Sequence, residues 1–293
     1  MNNTIIEELD KNGYILFKSG LDKNQILSYR NIILKNYSNG ETGELYLDYA
    51  IENNQIFELF TLPNIIDKIK TISDEIYYLP DLNIQINKIN TSGRNKGWHI
   101  DANFESYLNL QYLHSNDYKF YKVGIFFQDS SLEYGGGIDI KIKGHKSFRN
   151  MKKATLNNLY KKVHNFFTNF LPNKKTLKVC SGDVIIFDSR LPHASSKSIE
   201  ETSKINKENM KIVFYWDIAG RKIDAENYIN SVIARNYFVN KNKEFNLNLL
   251  RFNYPNSFKV EQINSIKKSG ITFFTLNKKD SDFFDQKYQD LKK

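Results

Sequence analysis

The spacing of apolar residues in the N-terminal third predicts helices. Within 23–37, apolar and aromatic side chains recur three to four positions apart, at Ile26, Tyr29, Ile33 and Tyr37. A second helix is predicted to begin at Pro63 and to run to about Glu75. Its apolar stripe consists of Ile65, Ile66, Ile69 and Ile72. Residues 1–80 are therefore predicted to form a mainly helical support.

From about residue 83 the period shortens, and alternating or β-branched and aromatic runs take over. These runs predict strands at 83–90, 121–129, 138–142, 183–188 and 211–217. Short strands at moderate spacing, with glycine-rich turns, are typical of an antiparallel sandwich or barrel. The chain lacks both βαβ alternation and a glycine-rich dinucleotide motif after a strand, which argues against a Rossmann fold.

Two helical patterns accompany the strands. One, at 155–171, interrupts the predicted strands, and the other, at 224–239, follows them. No Pro- or Ser-rich linker divides the chain, so residues 1–293 are predicted to form one domain. Its parts are the support at 1–80, a β core at 81–218 that contains the 155–171 insert, and a C-terminal extension at 219–293.

Composition limits the class of protein and the cellular compartment that are expected. Hydrophobic residues make up 40% of the 293 positions and aromatic residues 14%, which excludes a disordered chain. No apolar run approaches the roughly 18 to 20 residues of a membrane helix, and the N-terminus does not resemble a signal peptide. A single cysteine, Cys180, excludes an internal disulfide framework. We expect a soluble, cytoplasmic protein without a membrane partner.

The net charge of +9 raises nucleic acid as a partner. Only seven of the 42 basic residues are arginine, however, and the lysines occur as scattered pairs. These features argue against nucleic acid as a partner and favour a small-molecule substrate.

Candidate chemistry centres on Trp98-His99-Ile100-Asp101. In a strand, residues two apart face the same side, so His99 and Asp101 would present an imidazole and a carboxylate together. These are two ligands of the 2-His-1-carboxylate triad of non-haem Fe(II) oxygenases. His193, which follows the strand opened by Gly182-Asp183, is the best candidate for the third. The plainer alternative is a half-buried strand histidine hydrogen-bonded to Asp101, with His193 in a loop.

This residue set suits one kind of oxygen chemistry. The triad occupies one face of Fe(II) and leaves positions open for a 2-oxo acid and dioxygen. A structural zinc site would instead favour four closed ligands, usually with thiolates. The distal carboxylate of a 2-oxo acid would also need an Arg or Lys nearby.

The same segments resemble the phytanoyl-CoA dioxygenase-like branch of the Fe(II)/2-oxoglutarate oxygenases. The resemblance covers most of residues 8–217 and rests on four ordered segments: LDKNGYILFKSGLDKNQI, WHID, YKVGIFFQDSSLEYGGGIDIKIKGHKS and GDVIIFDSRLPHASSKS. It implies a mostly β, double-stranded β-helix (jelly-roll, cupin-like) core with flanking helices. It also implies Fe(II) held by His99, Asp101 and His193, with 2-oxoglutarate as cosubstrate.

The resemblance further implies the reaction. Related halogenases replace the metal-binding carboxylate with a small residue, so the presence of Asp101 favours a hydroxylase, or another C–H oxidation, over halogenation. The expected enzyme is a dioxygenase that oxidises a small molecule and releases succinate and CO2. No catalytic side chain is expected beyond the three metal ligands.

One departure from the family leaves two other functions open. The family usually places an arginine for the oxoglutarate tail shortly after the distal histidine, whereas IEETSKINKENMKI contains none. Lys211 is the first candidate for this contact, and Lys207 and Arg190 are the alternatives. The chain is alternatively a non-catalytic jelly-roll ligand-binding protein with a degenerate metal site, or an oxygenase acting on nucleic acid.

Overall fold

A computed structural model describes most of the predicted core. The described residues are 3–35, 43–87, 98–101, 115, 117–131, 135–149, 173–196, 210–229 and 258–274. The predicted helical insert at 155–171 and the second half of the predicted helix at 224–239 lie outside them.

Ten strands and eight helices are described. The strands are β1 (Tyr14–Lys18), β2 (Gly43–Tyr46), β3 (Tyr77–Asn87), β4 (Phe120–Phe126), β5 (Ile138–Lys141), β6 (Lys174–Leu177), β7 (Asp183–Asp188), β8 (His193–Ser195), β9 (Lys211–Ala219) and β10 (Thr272–Phe273). The helices are α1 (Asn3–Asn12), α2 (Lys23–Lys35), α3 (Leu47–Glu52), α4 (Asn54–Glu58), α5 (Pro63–Lys70), α6 (Gly144–Arg149), α7 (222–229) and α8 (Val260–Ser269). A single 3-10 turn at Leu59–Thr61 joins α4 to the segment before α5.

The strands form two sheets. The major sheet has seven strands in the order β1-β7-β4-β9-β3-β10, and β2 also pairs with β3. The minor sheet has the order β6-β5-β8. All pairs are antiparallel except β10 with β3. This architecture confirms the prediction of a mostly β, jelly-roll core with flanking helices.

Alternation along each strand gives the major sheet two different faces. The outer face packs on the helices, and β9 contributes Ile212, Phe214, Trp216 and Ile218 to that core. The intervening residues of the same strand, such as Val213 and Tyr215, face the minor sheet and form a second, smaller core. The space between the two sheets is where β9 also places Lys211.

The N-terminal support is less purely helical than the apolar spacing predicted. Residues 14–18 form strand β1, and all five of them pair with residues of β7 in the major sheet. Gly13, at φ +85°, ends α1, and a Cβ there would lie 2.5 Å from the ring of His145. The chain therefore turns directly from helix into strand. A five-residue strand is too short for its period to stand out from neighbouring helices.

The C-terminal extension also joins this framework. Helix α8 packs beside α3 and α4, and Gln262 donates to the backbone oxygen of Ile51 in α3 and to Asn54 Oδ1 in α4, both at 2.8 Å. Strand β10 follows and pairs with the start of β3. None of the helices in the described part of the chain is long and apolar enough to cross a membrane.

Candidate metal centre

The two histidines of the predicted site face each other across a backbone pair. His193 begins β8, and its N–H donates to the His99 oxygen at 2.9 Å, while the His99 N–H donates back at 3.0 Å. Directly opposed residues of an antiparallel pair place their side chains on the same face. The two ring centroids are accordingly 4.2 Å apart. Within the described residues 98–101, His99 forms an isolated β-bridge with His193 where a strand was predicted.

Asp101 completes the cluster. Its Oδ1 lies 3.8 Å from His99 Nε2, and its Oδ2 lies 3.7 Å from His193 Nε2. One ligand atom from each of the three residues falls within 4.8 Å of the others. Among the described residues, no other group of His, Cys, Asp and Glu meets this criterion. The structure therefore brings together, from two separate segments, the three residues that the sequence proposed as metal ligands.

The donor atoms fit a divalent cation. Asp101 Oδ2 is buried and has no hydrogen-bond partner within the part of the chain that the structure describes. A buried carboxylate oxygen in that state is costly, and a bound cation would relieve the cost. His193 Nδ1 lies 3.0 Å from the Leu191 oxygen, which can only accept. Nδ1 therefore carries the proton, and the lone pair of Nε2 faces the cluster.

The electrostatics favour the ligating protonation states. Burial lowers the pKa of His193 to about 4, so its imidazole is neutral near pH 7. Burial alone would raise the pKa of Asp101, but the Lys122 ammonium and the two imidazoles outweigh it, and the pKa is lowered overall. A neutral imidazole and an ionised carboxylate are the forms that bind metal.

The cluster opens into a cavity between the two sheets. The cavity is small, with a volume of about 60 Å³. Polar and charged side chains from both sheets line it together with the cluster: Gln85, Lys122, Ser195, Lys211 and Tyr215. Phe187 and Ile138 supply apolar wall, and the Phe187 ring packs edge-on against His193 at 4.8 Å. The metal cluster therefore borders a cavity with both polar and apolar walls.

The structure describes two of the three basic residues that were proposed to bind the cosubstrate, Lys211 and Arg190. Lys211 lines the cavity and is 4% exposed, and its Nζ donates to the Gly137 oxygen at 3.2 Å and to Ser195 Oγ at 3.4 Å. Lys207 lies outside the described residues. Arg190 does not line this cavity. Of the two candidates that the structure describes, it therefore brings Lys211 and not Arg190 beside the His-Asp-His cluster.

Arg190 is instead held as a buried structural cation. Its Nε and Nη2 bind the two carboxylate oxygens of Asp188 at 2.9 and 2.6 Å. Its guanidinium also lies 4.3 Å from the centre of the Tyr118 ring. These contacts, with the Arg190 N–H donating to Asp188 Oδ1 at 2.9 Å, hold Arg190 at the turn that precedes His193.

The ion pair between the cavity residue Lys122 and Asp217 was not predicted from the sequence. Lys122 lies between Asp101 and Asp217, with its Nζ 3.7 Å from Asp101 Oδ2 and 3.2 Å from Asp217 Oδ1. A usable signal was present, because each residue is a charge inside an otherwise apolar strand, FYKVGIF or KIVFYWDIA. Such a charge is expected to face a site rather than the core.

Comparisons with solved structures support the fold. SnoK, a non-haem α-ketoglutarate-dependent carbocyclase from nogalamycin biosynthesis, superposes with a TM-score of 0.53 at 12% identity, over 75% of this chain and 84% of that one. HygX from Streptomyces hygroscopicus, solved with nickel, 2-oxoglutarate and hygromycin B, gives a TM-score of 0.53 at 13% identity, over 75% and 87%. The epimerase SnoN, in complex with Fe3+, α-ketoglutarate and nogalamycin RO, gives 0.52 at 12%, over 74% and 83%.

SnoN and SnoK are non-haem, α-ketoglutarate-dependent enzymes, and HygX binds 2-oxoglutarate in its structure. At this identity the likeness establishes the shared fold, and the chemistry of this chain has to be argued from its own residues. No protein-family model and no curated protein sequence matches the chain.

Proposed function

We propose that this protein is an Fe(II)- and 2-oxoglutarate-dependent dioxygenase that oxidises a C–H bond of a small molecule. Hydroxylation is the favoured outcome, with release of succinate and CO2, and the phytanoyl-CoA dioxygenase-like branch is the proposed family. The observation that carries the proposal is the His99, Asp101 and His193 cluster, whose donor atoms lie within 4.8 Å of one another inside a jelly roll.

The side chains have distinct tasks in this proposal. His99, Asp101 and His193 would hold Fe(II), which supplies the redox chemistry with dioxygen and a 2-oxo acid. The Leu191 oxygen keeps the His193 ring in its ligating tautomer. Phe187 packs against that ring and excludes water from one side of it. No other side chain is proposed to transfer a proton.

Lys211 is the proposed anchor for the distal carboxylate of 2-oxoglutarate. Its ammonium is buried in the same cavity as the metal cluster, and two neutral oxygen atoms accept hydrogen bonds from it. A carboxylate brought into that cavity would form a charge-assisted hydrogen bond with Lys211 in a water-poor setting. A lysine provides a point charge where an arginine would bind through two nitrogen atoms.

A small-molecule substrate is proposed on two grounds. The cluster lines a small cavity between the two sheets, about 60 Å³ in volume, rather than an exposed surface. The neighbours of the same fold were solved with hygromycin B or nogalamycin RO, which are small molecules. We extend the proposal to the whole chain, with residues 1–293 forming one oxygenase domain.

The reaction can be tested without knowing the substrate. Protein incubated in air with Fe(II), ascorbate and 2-oxoglutarate should release succinate slowly, because 2-oxo acid oxidation in such enzymes proceeds partly uncoupled from substrate. His99→Ala and Asp101→Ala should reduce succinate to the background level. His145→Asn, which changes a buried histidine outside the cavity, is the matched control and should retain the signal.

Two results would change the conclusion. Succinate release that persists unchanged in both His99→Ala and Asp101→Ala would contradict the proposed metal centre. Tight binding of 2-oxoglutarate with no consumption of oxygen would instead favour the ligand-binding alternative, which the missing arginine motivates.

A further inference from the structure

A buried ion pair, formed by Lys122 and Asp217, lies beside Asp101 of the metal cluster. Lys122 on β4 is paired in register with Asp217 on β9, so the two side chains project from the same face of the sheet. The Lys122 Nζ lies 3.2 and 3.4 Å from the two oxygens of Asp217. The same Nζ lies 3.7 Å from Asp101 Oδ2, beyond hydrogen-bond distance. Lys122 therefore stands between two carboxylates and is closer to Asp217.

The burial of this pair calls for an explanation other than stability. The Asp217 side chain is 2% exposed and that of Lys122 is 18% exposed. Desolvation of two such charges costs about as much as their attraction returns, and apolar replacements are often neutral or stabilising. Asp217 also accepts a hydrogen bond from the Tyr228 hydroxyl at 3.3 Å, which ties it to α7. The sheet and the helix thus both fix Asp217 in place.

Charge balance supplies the explanation. An ammonium with Asp101 as its sole carboxylate partner would compete with a metal for that carboxylate and would repel a bound dication. Asp217 offers the ammonium a nearer carboxylate, and its negative charge offsets the ammonium charge. The three side chains then carry two negative charges and one positive charge, which leaves the cluster attractive to a cation.

We propose that Asp217 is a positioning residue of the metal centre, which holds the Lys122 ammonium so that Asp101 stays available to the metal. The inference rests on the proposed function only in that the His99, Asp101 and His193 cluster binds a divalent cation. Asp217 itself does not touch the metal. Its removal frees Lys122 to move onto Asp101 and to occupy the carboxylate that the metal needs.

Cobalt(II) titration tests this role without turnover. The dissociation constant of Co(II) would be measured anaerobically, by calorimetry and by the visible Co(II) bands, for the wild type, Asp217→Asn and Asp217→Asn/Lys122→Met. Asp217→Asn should weaken Co(II) binding about tenfold or more, as loss of a residue that supports a metal ligand typically does. The double variant, which removes the competing ammonium as well, should return to within about threefold of the wild type.

Asp139→Asn is the matched control. Asp139 is also a buried strand carboxylate, 2% exposed, and it pairs with Lys174 at 2.9 Å, but it lies on the opposite face of β5 from the cavity residue Ile138. Asp139→Asn should lower the Tm of the metal-free protein and leave Co(II) affinity unchanged. Titrations well below each Tm separate loss of folding from loss of metal binding.

The outcomes are distinct. Wild-type Co(II) affinity in Asp217→Asn, or an equally weak affinity in the single and double variants, would overturn the positioning role while leaving the proposed function intact. A wild-type protein that binds no Co(II) would contradict the metal centre itself, and with it this inference.

Discussion

The two faces of the major sheet are built from alternate residues of the same strands, yet they differ sharply in composition. On β9 the outer face presents Ile212, Phe214 and Trp216 to the helices. The inner face of the same strand buries Lys211 and Asp217. Because both faces are buried, exposure does not explain the difference.

Burial has a different consequence on each face of the sheet. The outer face gains stability from apolar contact, as in the edge-on packing of Phe60 against Phe214 at 5.2 Å. The inner face accepts the cost of desolvated charges, which in return have fixed positions and strong fields. Changes on the outer face should therefore act on folding, and changes on the inner face should act on ligands.

The largest expected effect is on the outer face. Phe214→Ala removes a fully buried ring and should lower the free energy of unfolding by about 3 to 5 kcal/mol. Chemical denaturation would measure the loss. Co(II) affinity, measured below the midpoint, should stay within about twofold of the wild type, since the ring faces away from the cavity. A strong loss of affinity in the folded variant would show that the two faces are not independent.

The next effect is on the inner face. His193→Ala removes a ligand of the proposed centre and should weaken Co(II) binding more than about 100-fold, because loss of a ligand exceeds the cost of losing a supporting residue. Calorimetric titration would measure it. The fold should survive, since Ala is compatible with β8 and with the His99 backbone pair. Unchanged metal affinity would place the binding site elsewhere.

A smaller effect is expected for the cosubstrate. Lys211→Ala should raise the Kd of 2-oxoglutarate about 10- to 100-fold, the worth of one charge-assisted hydrogen bond. Lys211→Arg should retain much of the affinity. The matched control is Lys174→Ala, because Lys174 is half-exposed and bound to Asp139 away from the cavity. Equal affinities in Lys211→Ala and the control would remove Lys211 as the anchor.

The smallest effect concerns pH in the metal-free protein. The folded-state pKa of His193, about 4, lies below its ordinary value of 6.5, so the unfolded chain takes up a proton first as pH falls. Stability is therefore fully present above pH 6.5 and decreases as pH falls from about 6.5 to 4. Tm against pH for chelator-treated protein would show it. In His193→Gln the decrease should be shallower, and an identical slope would argue against a buried neutral His193.

Sequence alone predicted much of the fold because the strands alternate clearly. The segments 138–142, 183–188 and 211–217 correspond closely to β5, β7 and β9. Strand β1 was missed because it is short and borders a helix. The pairing of β1 with β7, more than 160 residues away, depends on tertiary register that local periodicity does not contain.

The candidate site divides in the same way. His99, Asp101 and His193 were found because WHID and the segment before His193 carry recognisable local patterns. Arg190 was an uncertain candidate, and sequence did not show that Asp188, two residues earlier, holds its guanidinium. Lys122 and Asp217 are 95 residues apart, and only their cross-strand pairing reveals that one compensates the other.

The most direct test of the metal centre and its cosubstrate is a visible spectrum. Purified protein would be loaded anaerobically with Fe(II), 2-oxoglutarate would be added, and the charge-transfer band of the chelated keto acid would be recorded. We expect a band in the wild type and no band in His193→Ala. In Lys211→Ala, a higher concentration of 2-oxoglutarate should be needed to produce the band. If the wild type binds iron but shows no band at saturating 2-oxoglutarate, the proposed binding of 2-oxoglutarate at this metal centre is contradicted.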